Sequence, residues 1–206
     1  MLDLPFNHTI AIIIITAVVS FLAFSQRNIM NRLIFWGPAI ARGQFDRFIT
    51  YGFVHADGFH LLFNMITLFF FGSFIENFYK PYAFGMGFAL FYLGGLIFSI
   101  LPSYFKYKNN INYYSLGASG AVSAILFAFI LFKPWNLIFV FFIPVPAIVF
   151  ALLYVGYSIW AEKRGNSGIN HSAHLWGAAY GIICTIIIEP QVVLHFYNQL
   201  LNPSFL

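Results

Sequence analysis

Four polar side chains lie within long apolar stretches of this sequence, and together they could carry out chemistry. They are His60, Asn64, Ser119 and His174. A serine hydroxyl becomes a nucleophile when an imidazole takes its proton and later returns that proton to the leaving group. N–H donors stabilise the resulting oxyanion, and His60, Asn64 and the backbone around Ser119 can supply them. The set therefore predicts acyl transfer by a serine–histidine dyad.

The acidic and basic residues argue against other hydrolytic chemistries. Of the six acidic residues, only Glu76 and Glu189 touch the ends of apolar stretches, so a pair of facing catalytic carboxylates cannot form. The chain has no His-Glu-x-x-His run for a catalytic zinc ion. Lys106 and Lys108 precede Ser119 in a loop, which disfavours a serine–lysine pair. We expect no metal and no cofactor.

The composition indicates that these groups are embedded in a membrane protein. Apolar residues make up 61% of the chain and charged residues only 8%, whereas soluble proteins carry about 25% charged residues. The net charge of +4 comes from too few basic residues to form a phosphate-binding patch, so nucleic-acid binding is excluded. Cys184 is the single cysteine, which excludes an intrachain disulfide and a cysteine metal cluster.

Charged residues divide the chain into six charge-free stretches, each long enough for one membrane-spanning helix of about 20 residues. The sequence therefore predicts an all-α membrane protein with a single transmembrane domain over residues 1–206. We expect the first stretch to be a retained helix, because it lacks the basic start and cleavage site of a signal peptide. The predicted spans are residues 8–26, 58–78, 82–102, 115–132, 138–160 and 169–189.

The four candidate groups fall at the beginnings of the even-numbered spans. All even-numbered spans begin on the same side of the membrane, so these groups are expected at a similar depth. His60 and Asn64 are four residues apart and share one helix face. Small residues beside Ser119 and His174 allow two helix backbones to approach closely. These small residues are Gly117, Gly120, Gly177, Ala178 and Gly181.

The chain resembles the rhomboid family of intramembrane serine proteases. The resemblance lies in a Gly-Ala-Ser-Gly run, an Ala-His-x-x-Gly-x-x-x-Gly run and a His-x-x-x-Asn run, and it covers residues 47–181. It implies a six-transmembrane-helix rhomboid-type bundle. It also implies that Ser119 is the nucleophile, that His174 is the base, and that His60 and Asn64 stabilise the oxyanion.

The same resemblance implies further roles. Glu76, at the end of the second span, and Arg47, in the first loop, match structural positions of the family. The fifth span and the loop 162–170 correspond to its lateral gate and cap. The implied partners are the lipid bilayer and single-span membrane proteins, cut in or near their transmembrane segment. We expect a multi-pass protein of a bacterial inner membrane.

Two positions depart from the family pattern. Asp46 stands where many members have a tryptophan, and Ser123 stands where some members have a tyrosine that stacks on the catalytic histidine. The packing of His174 must therefore come from elsewhere in the chain.

The loop charges conflict with the orientation that the resemblance implies. Connections after odd-numbered spans carry eight basic residues and the other face carries two, so the positive-inside rule places the eight-charge face in the cytoplasm. The family orientation instead has a cytoplasmic N-terminus and an active site near the outer face. We follow the family orientation.

Other interpretations of these residues stay open. Taken singly, the Gly-Ala-Ser-Gly run is typical of helix packing, and His60 with Asn64 of an interhelical hydrogen bond. His174 alone could be a structural or proton-relay histidine, and His55 could support a loop or guide water. A catalytically inactive relative that binds membrane proteins or acts in quality control would normally lose Ser119 or His174. A transporter or channel would distribute polar groups through the depth of the bilayer.

Overall fold

The computed structural model describes residues 7–140, 142–165 and 168–203. In these ranges the chain is mainly helical, with two short antiparallel strand pairs. The helices are α1 (His8–Ser25), α2 (Arg27–Leu33), α3 (Gly37–Ile40), α4 (Arg47–Thr50), α5 (Gly58–Tyr79), α6 (Gly87–Tyr107), α7 (Ser119–Phe132), α8 (Ala147–Arg164), α9 (His171–Ile188) and α10 (Val192–Leu201). The strands are β1 (Phe35–Trp36), paired with β2 (Tyr114–Ser115), and β3 (Leu137–Val140), paired with β4 (Ile143–Pro146).

The long helices identify an all-α membrane protein. Within the described ranges, α1, α5, α6 and α9 are long and apolar enough to cross a membrane. α7 is apolar but has only 14 residues. At 1.5 Å per residue it is about 21 Å long, whereas the hydrocarbon core is about 30 Å thick. In a bilayer, at least one end of α7 therefore lies below the membrane surface.

The fifth predicted span differs from the structure at its beginning. β3 (Leu137–Val140) and β4 (Ile143–Pro146) pair with Leu137 opposite Pro146, and α8 begins only at Ala147. Pro144 and Pro146 explain the difference, because proline has no backbone N–H and restricts the preceding residue to extended conformations. α8 then ends with the three charged residues 162–164.

α7 forms the centre of the bundle. All of its residues from Gly120 to Leu131 are buried, and it contacts α5, α6, α8, α9 and α10. On α9, a methyl group added at Gly177 would overlap the carbonyl of Gly120. One added at Gly181 would overlap the carbonyl of Ala124. The small face predicted for α9 is therefore the face on which two helix backbones touch.

Glu76, near the end of α5, holds the start of α1. Its carboxylate accepts hydrogen bonds from the backbone N–H groups of His8 (2.7 Å) and Thr9 (2.9 Å) and from the Thr9 hydroxyl (2.7 Å). The first N–H groups of a helix have no partner within the helix, and the positive end of its dipole favours an anion. Glu76 therefore joins the ends of two long helices.

Arg47 has a comparable role in the segment between α1 and α5. Its guanidinium is buried and donates to the carbonyls of Asn31 (3.0 Å) and Ile34 (2.6 Å) and to the side chain of Gln44 (2.7 Å). These carbonyls belong to the end of α2 and the residue after it, where helical partners are lacking. Arg47 thus ties α2 to α4.

Candidate active site

Ser119 and His174 are in direct contact. The Ser119 Oγ and the His174 Nε2 are 2.9 Å apart, which is hydrogen-bond distance. Ser119 is the first residue of α7, His174 lies in the first turn of α9, and both side chains are half-buried. A neutral imidazole with its proton on Nδ1 accepts the serine proton at Nε2. The pair has the geometry of a nucleophile and its general base.

The chain enters α7 through a glycine in a conformation that other residues rarely adopt. Gly117 has a φ of +113°, and its backbone N–H donates to the carbonyl of Tyr51 (2.9 Å). A side chain at this position would be strained by the positive φ. Its Cβ would also lie 2.6 Å from the Cε1 of His60. Glycine therefore allows both the turn before Ser119 and the close packing of the His60 ring.

A buried histidine fixes the residue immediately before Ser119. The Nε2 of His55 accepts the backbone N–H of Ala118 (3.2 Å). Its Nδ1 lies 3.0 Å from the Oγ of Ser20, which in turn donates to the carbonyl of Phe53 (3.0 Å). These bonds are consistent only if Nδ1 carries the proton and Nε2 does not. Burial, with a smaller contribution from His60, lowers the pKa of His55 to about 3, so the ring stays neutral.

This network uses one of the backbone N–H groups beside Ser119. The N–H of Ala118 is used by His55, whereas the first-turn N–H groups of α7, beginning with Ser119, have no carbonyl partner within the helix. The structure thus assigns His55 a structural contact at the serine loop, one of the two roles the sequence left open. The candidate backbone donor for an oxyanion is the N–H of Ser119 itself.

His60 and Asn64 lie beside this loop on one face of α5. The His60 ring packs against Gly117 and meets the His55 ring edge-on at a centroid distance of 4.9 Å. Asn64 is buried, and its Nδ2 donates to the carbonyl of His60 (2.8 Å). That bond uses one of the two amide hydrogens of Asn64. The structure therefore brings His60 to the serine loop and holds Asn64 one turn deeper by a bond within α5.

The packing of His174 comes from α8 and from its own helix, where the His171 ring meets it edge-on at a centroid distance of 5.7 Å. The rings of Tyr154 and His174 are stacked, with centroids 5.9 Å apart and planes 18° apart. The Tyr154 hydroxyl forms a 2.6 Å hydrogen bond with the Oγ of Ser123. Sequence reasoning left the source of this packing unidentified. The sequence feature that could have identified Tyr154 was a tyrosine within an apolar span, because a buried tyrosine hydroxyl needs a polar partner.

Asn170 fixes the start of α9 and was also missed from the sequence. Its Oδ1 accepts the N–H of Ala173 (3.0 Å), and its Nδ2 donates to the hydroxyl of Tyr113 (3.0 Å). Asparagine is a preferred N-cap residue, so its position just before His171 was the available signal. The cap connects the first turn of α9, with His174, to the segment before α7.

These features belong to a membrane-embedded bundle in which two helices present a serine and a histidine to each other. A model of the Rhomboid domain matches residues 42–191, a range that contains both residues and the helices that hold them. The chain therefore belongs to the rhomboid family, and the family resemblance and the helical membrane fold expected from the sequence are confirmed.

A named relative extends the comparison. The chain is 33% identical over 172 residues to RHOMBOID-like protein 12, mitochondrial, of Arabidopsis thaliana. The alignment covers 78% of this chain and 51% of that protein, so the chain spans about half the length of this relative. The relative carries a mitochondrial name, and the comparison gives no support to the expectation of a bacterial inner membrane. What is established is an integral, multi-pass membrane protein.

Proposed function

We propose that this protein is an intramembrane serine endopeptidase that cleaves membrane proteins in or near a transmembrane segment. The observation that carries this proposal is the 2.9 Å contact between Ser119 Oγ and His174 Nε2. The contact depends on α7 and α9 touching at Gly177 and Gly181. Family membership supports the same class of reaction.

The proposed reaction uses these groups in the following order. His174 Nε2 takes the hydroxyl proton as Ser119 Oγ attacks the peptide carbonyl, and a tetrahedral oxyanion forms. The N–H of Ser119 and the side chains of His60 and Asn64 are the proposed donors to that oxyanion. His174 then gives its proton to the leaving amine. A water molecule, deprotonated by His174, hydrolyses the acyl-enzyme and regenerates both residues.

The proposed substrates are single-span membrane proteins. A helix in lipid satisfies its backbone groups internally, so its peptide bonds are inaccessible until the helix unwinds. Small or helix-destabilising residues lower the free energy needed for unwinding. Ser119 is the first residue of α7, a helix too short to cross the hydrocarbon core. This supports a site that meets an unwound transmembrane segment below the membrane surface.

A cleavage assay with purified protein in detergent tests the proposal. We expect the wild-type protein to cut a model single-span substrate, and the Ser119→Ala and His174→Ala variants each to lose about 10³-fold or more in rate. Ser25→Ala and His195→Ala serve as matched controls, because both side chains are exposed and lie on α1 and α10. Wild-type cleavage by folded Ser119→Ala protein would refute the assignment and favour a role in binding membrane proteins.

The orientation of the site is part of the proposal. We propose that the face carrying Ser119 lies away from the cytoplasm, as the family pattern implies. Lys108 and Lys133 are exposed on the two faces of the predicted topology. In a Cys184→Ser background, a membrane-impermeant maleimide added to intact cells should label Lys108→Cys and not Lys133→Cys. The reverse labelling pattern would overturn the proposed orientation.

A further inference from the structure

The ring that packs on His174 belongs to α8, a helix with few buried residues. The Tyr154 and His174 rings are nearly parallel, at 18°, with centroids 5.9 Å apart. Aromatic pairs in offset-stacked geometry at this distance attract each other beyond the effect of the area that they bury. A parallel neighbour on one side of an imidazole also restricts rotation about its side-chain torsions. Tyr154 therefore limits the directions in which Nε2 can point.

A second contact holds Tyr154 itself in place. Its hydroxyl and the Oγ of Ser123 are 2.6 Å apart. Ser123 lies one helical turn after Ser119, so the two serines share a face of α7. The ring of Tyr154 is therefore fixed at its hydroxyl by the same helix that carries the candidate nucleophile. Phe127, one further turn along, packs on the same ring with centroids 5.6 Å apart.

We propose that Tyr154 is a positioning residue for His174 and that Ser123 sets the position of the Tyr154 ring. This inference rests on the proposed function, because it describes how the base of the dyad is oriented. Tyr154 does not transfer a proton in this account. It keeps the imidazole rotamer in which Nε2 lies 2.9 Å from Ser119 Oγ.

The location of Tyr154 makes the dyad depend on the packing of α8. Of this 18-residue helix, the buried residues are Ala147, Ala151, Ser158 and Ala161. Large apolar side chains such as Leu152 and Leu153 are exposed on it. A displacement of α8 would remove the ring from His174, whereas the backbone contacts at Gly177 and Gly181 would still join α7 to α9.

Single substitutions distinguish the contribution of the Tyr154 ring from that of its hydroxyl group. Tyr154→Leu removes the ring. We expect kcat to fall by about 10- to 100-fold with KM little changed, because a misplaced general base slows the chemical step and not substrate binding. Tyr154→Phe and Ser123→Ala each remove only the hydrogen bond, and we expect each to lower kcat by about two- to fivefold. Trp160→Leu is the matched control on α8, since the Trp160 ring is exposed and packs on Tyr157 and Arg164.

A relocation variant distinguishes positioning from general stability. Ser123→Tyr combined with Tyr154→Ala places an aromatic ring on α7, in the space that the original ring leaves. We expect the double variant to recover most of the kcat lost in Tyr154→Ala, whereas Ser123→Tyr alone is impaired by steric overlap with Tyr154. Tyr154→Leu protein with wild-type kcat would overturn the proposal. So would equal losses in Tyr154→Leu and Trp160→Leu without recovery in the double variant.

A spectroscopic measurement tests the contact independently of proteolysis. In protein with isotope-labelled histidine, the stacked Tyr154 ring should shift the His174 Cε1 proton upfield. We expect this shift to disappear in Tyr154→Leu and to persist in Trp160→Leu, while an unchanged spectrum in Tyr154→Leu would overturn the proposal. If Ser119→Ala protein cleaves like wild type, the proposed function fails, and this spectrum still decides whether Tyr154 orients His174.

Discussion

The contact between α7 and α9 and the contact between α8 and these helices are built in different ways. α7 and α9 touch backbone to backbone, with Gly177 against the Gly120 carbonyl and Gly181 against the Ala124 carbonyl. α8 contacts His174 and Ser123 through the ring and hydroxyl of Tyr154. Backbone contacts set the distance between α7 and α9, whereas the proposed role of Tyr154 is to set the rotamer of His174 from α8. If Tyr154 has this role, different contacts control the distance between Ser119 and His174 and the orientation of the imidazole.

The largest effect is expected from breaking the backbone contact. Gly177→Val places a branched side chain against the carbonyl of Gly120, which neither helix can avoid without moving. We expect proteolysis to be lost and the free energy of unfolding to fall by about 1–3 kcal/mol or more, as in overpacked cores. Thermal unfolding in detergent and the cleavage assay measure the two effects.

Gly156 on α8 is the matched control for this change. A Cβ at Gly156 meets nothing within 4 Å, so Gly156→Val tests the same substitution in a helix of similar length. We expect near-wild-type activity and stability. Equal losses in the two variants would show that the backbone contact between α7 and α9 has no special importance.

A smaller effect is expected from the network that fixes the start of α7. Burial lowers the pKa of His55 to about 3, whereas an unfolded histidine titrates near 6.5. The contribution of neutral His55 to the free energy of unfolding is therefore fully present above pH 6.5, and it is lost as the pH falls from 6.5 towards 3. The expected loss at pH 5 is about 2 kcal/mol. Unfolding measured between pH 7 and pH 5 checks this.

The His55→Gln variant tests the origin of that pH dependence. Glutamine can still accept the N–H of Ala118 but cannot be protonated in this range, so the pH dependence of unfolding should become flatter. His195→Gln, an exposed change on α10, should leave the slope as it is in the wild type. A wild-type slope in His55→Gln protein would contradict the assignment to His55.

The smallest effect is expected at the exposed ion pair of the first loop. Arg32 Nη1 and Asp46 Oδ2 are 2.6 Å apart, and the pair is largely solvent-exposed. Exposed ion pairs contribute little to stability because water screens them. We expect Asp46→Asn to leave cleavage and thermal unfolding unchanged at physiological salt. A loss comparable to that of Tyr154→Leu would mean that the first loop orients the dyad as strongly as α8 does.

The close approach of α7 and α9 could be predicted from the sequence. Counting the spans predicted a similar depth for Ser119 and His174, and the spacing of Gly177 and Gly181 predicted the close face of α9 that the backbone contacts show. Both signals are local, because they depend on helix periodicity and on residue size. The contact of Ser119 with His174 followed from them once the two helices were paired.

The side-chain contacts of Tyr154 and His55 could not be predicted in the same way. The approach of Tyr154 to His174 depends on the rotation and position of α8, which its mostly apolar sequence leaves undetermined. Pro144 and Pro146 marked a boundary, but the apolar residues around them also suited a membrane span, so the hairpin of β3 and β4 was missed. The bonds of His55 to Ser20 and Ala118 join distant segments that no local pattern connects.

Covalent labelling of the proposed nucleophile tests the central claim. Purified protein is treated with a fluorophosphonate, which reacts with activated serine hydroxyls, and the modified residue is located by mass spectrometry. The account predicts labelling at Ser119 in the wild type and about 10³-fold slower labelling in folded His174→Ala protein. Labelling at another serine, or labelling of Ser119 at the same rate without His174, would contradict it.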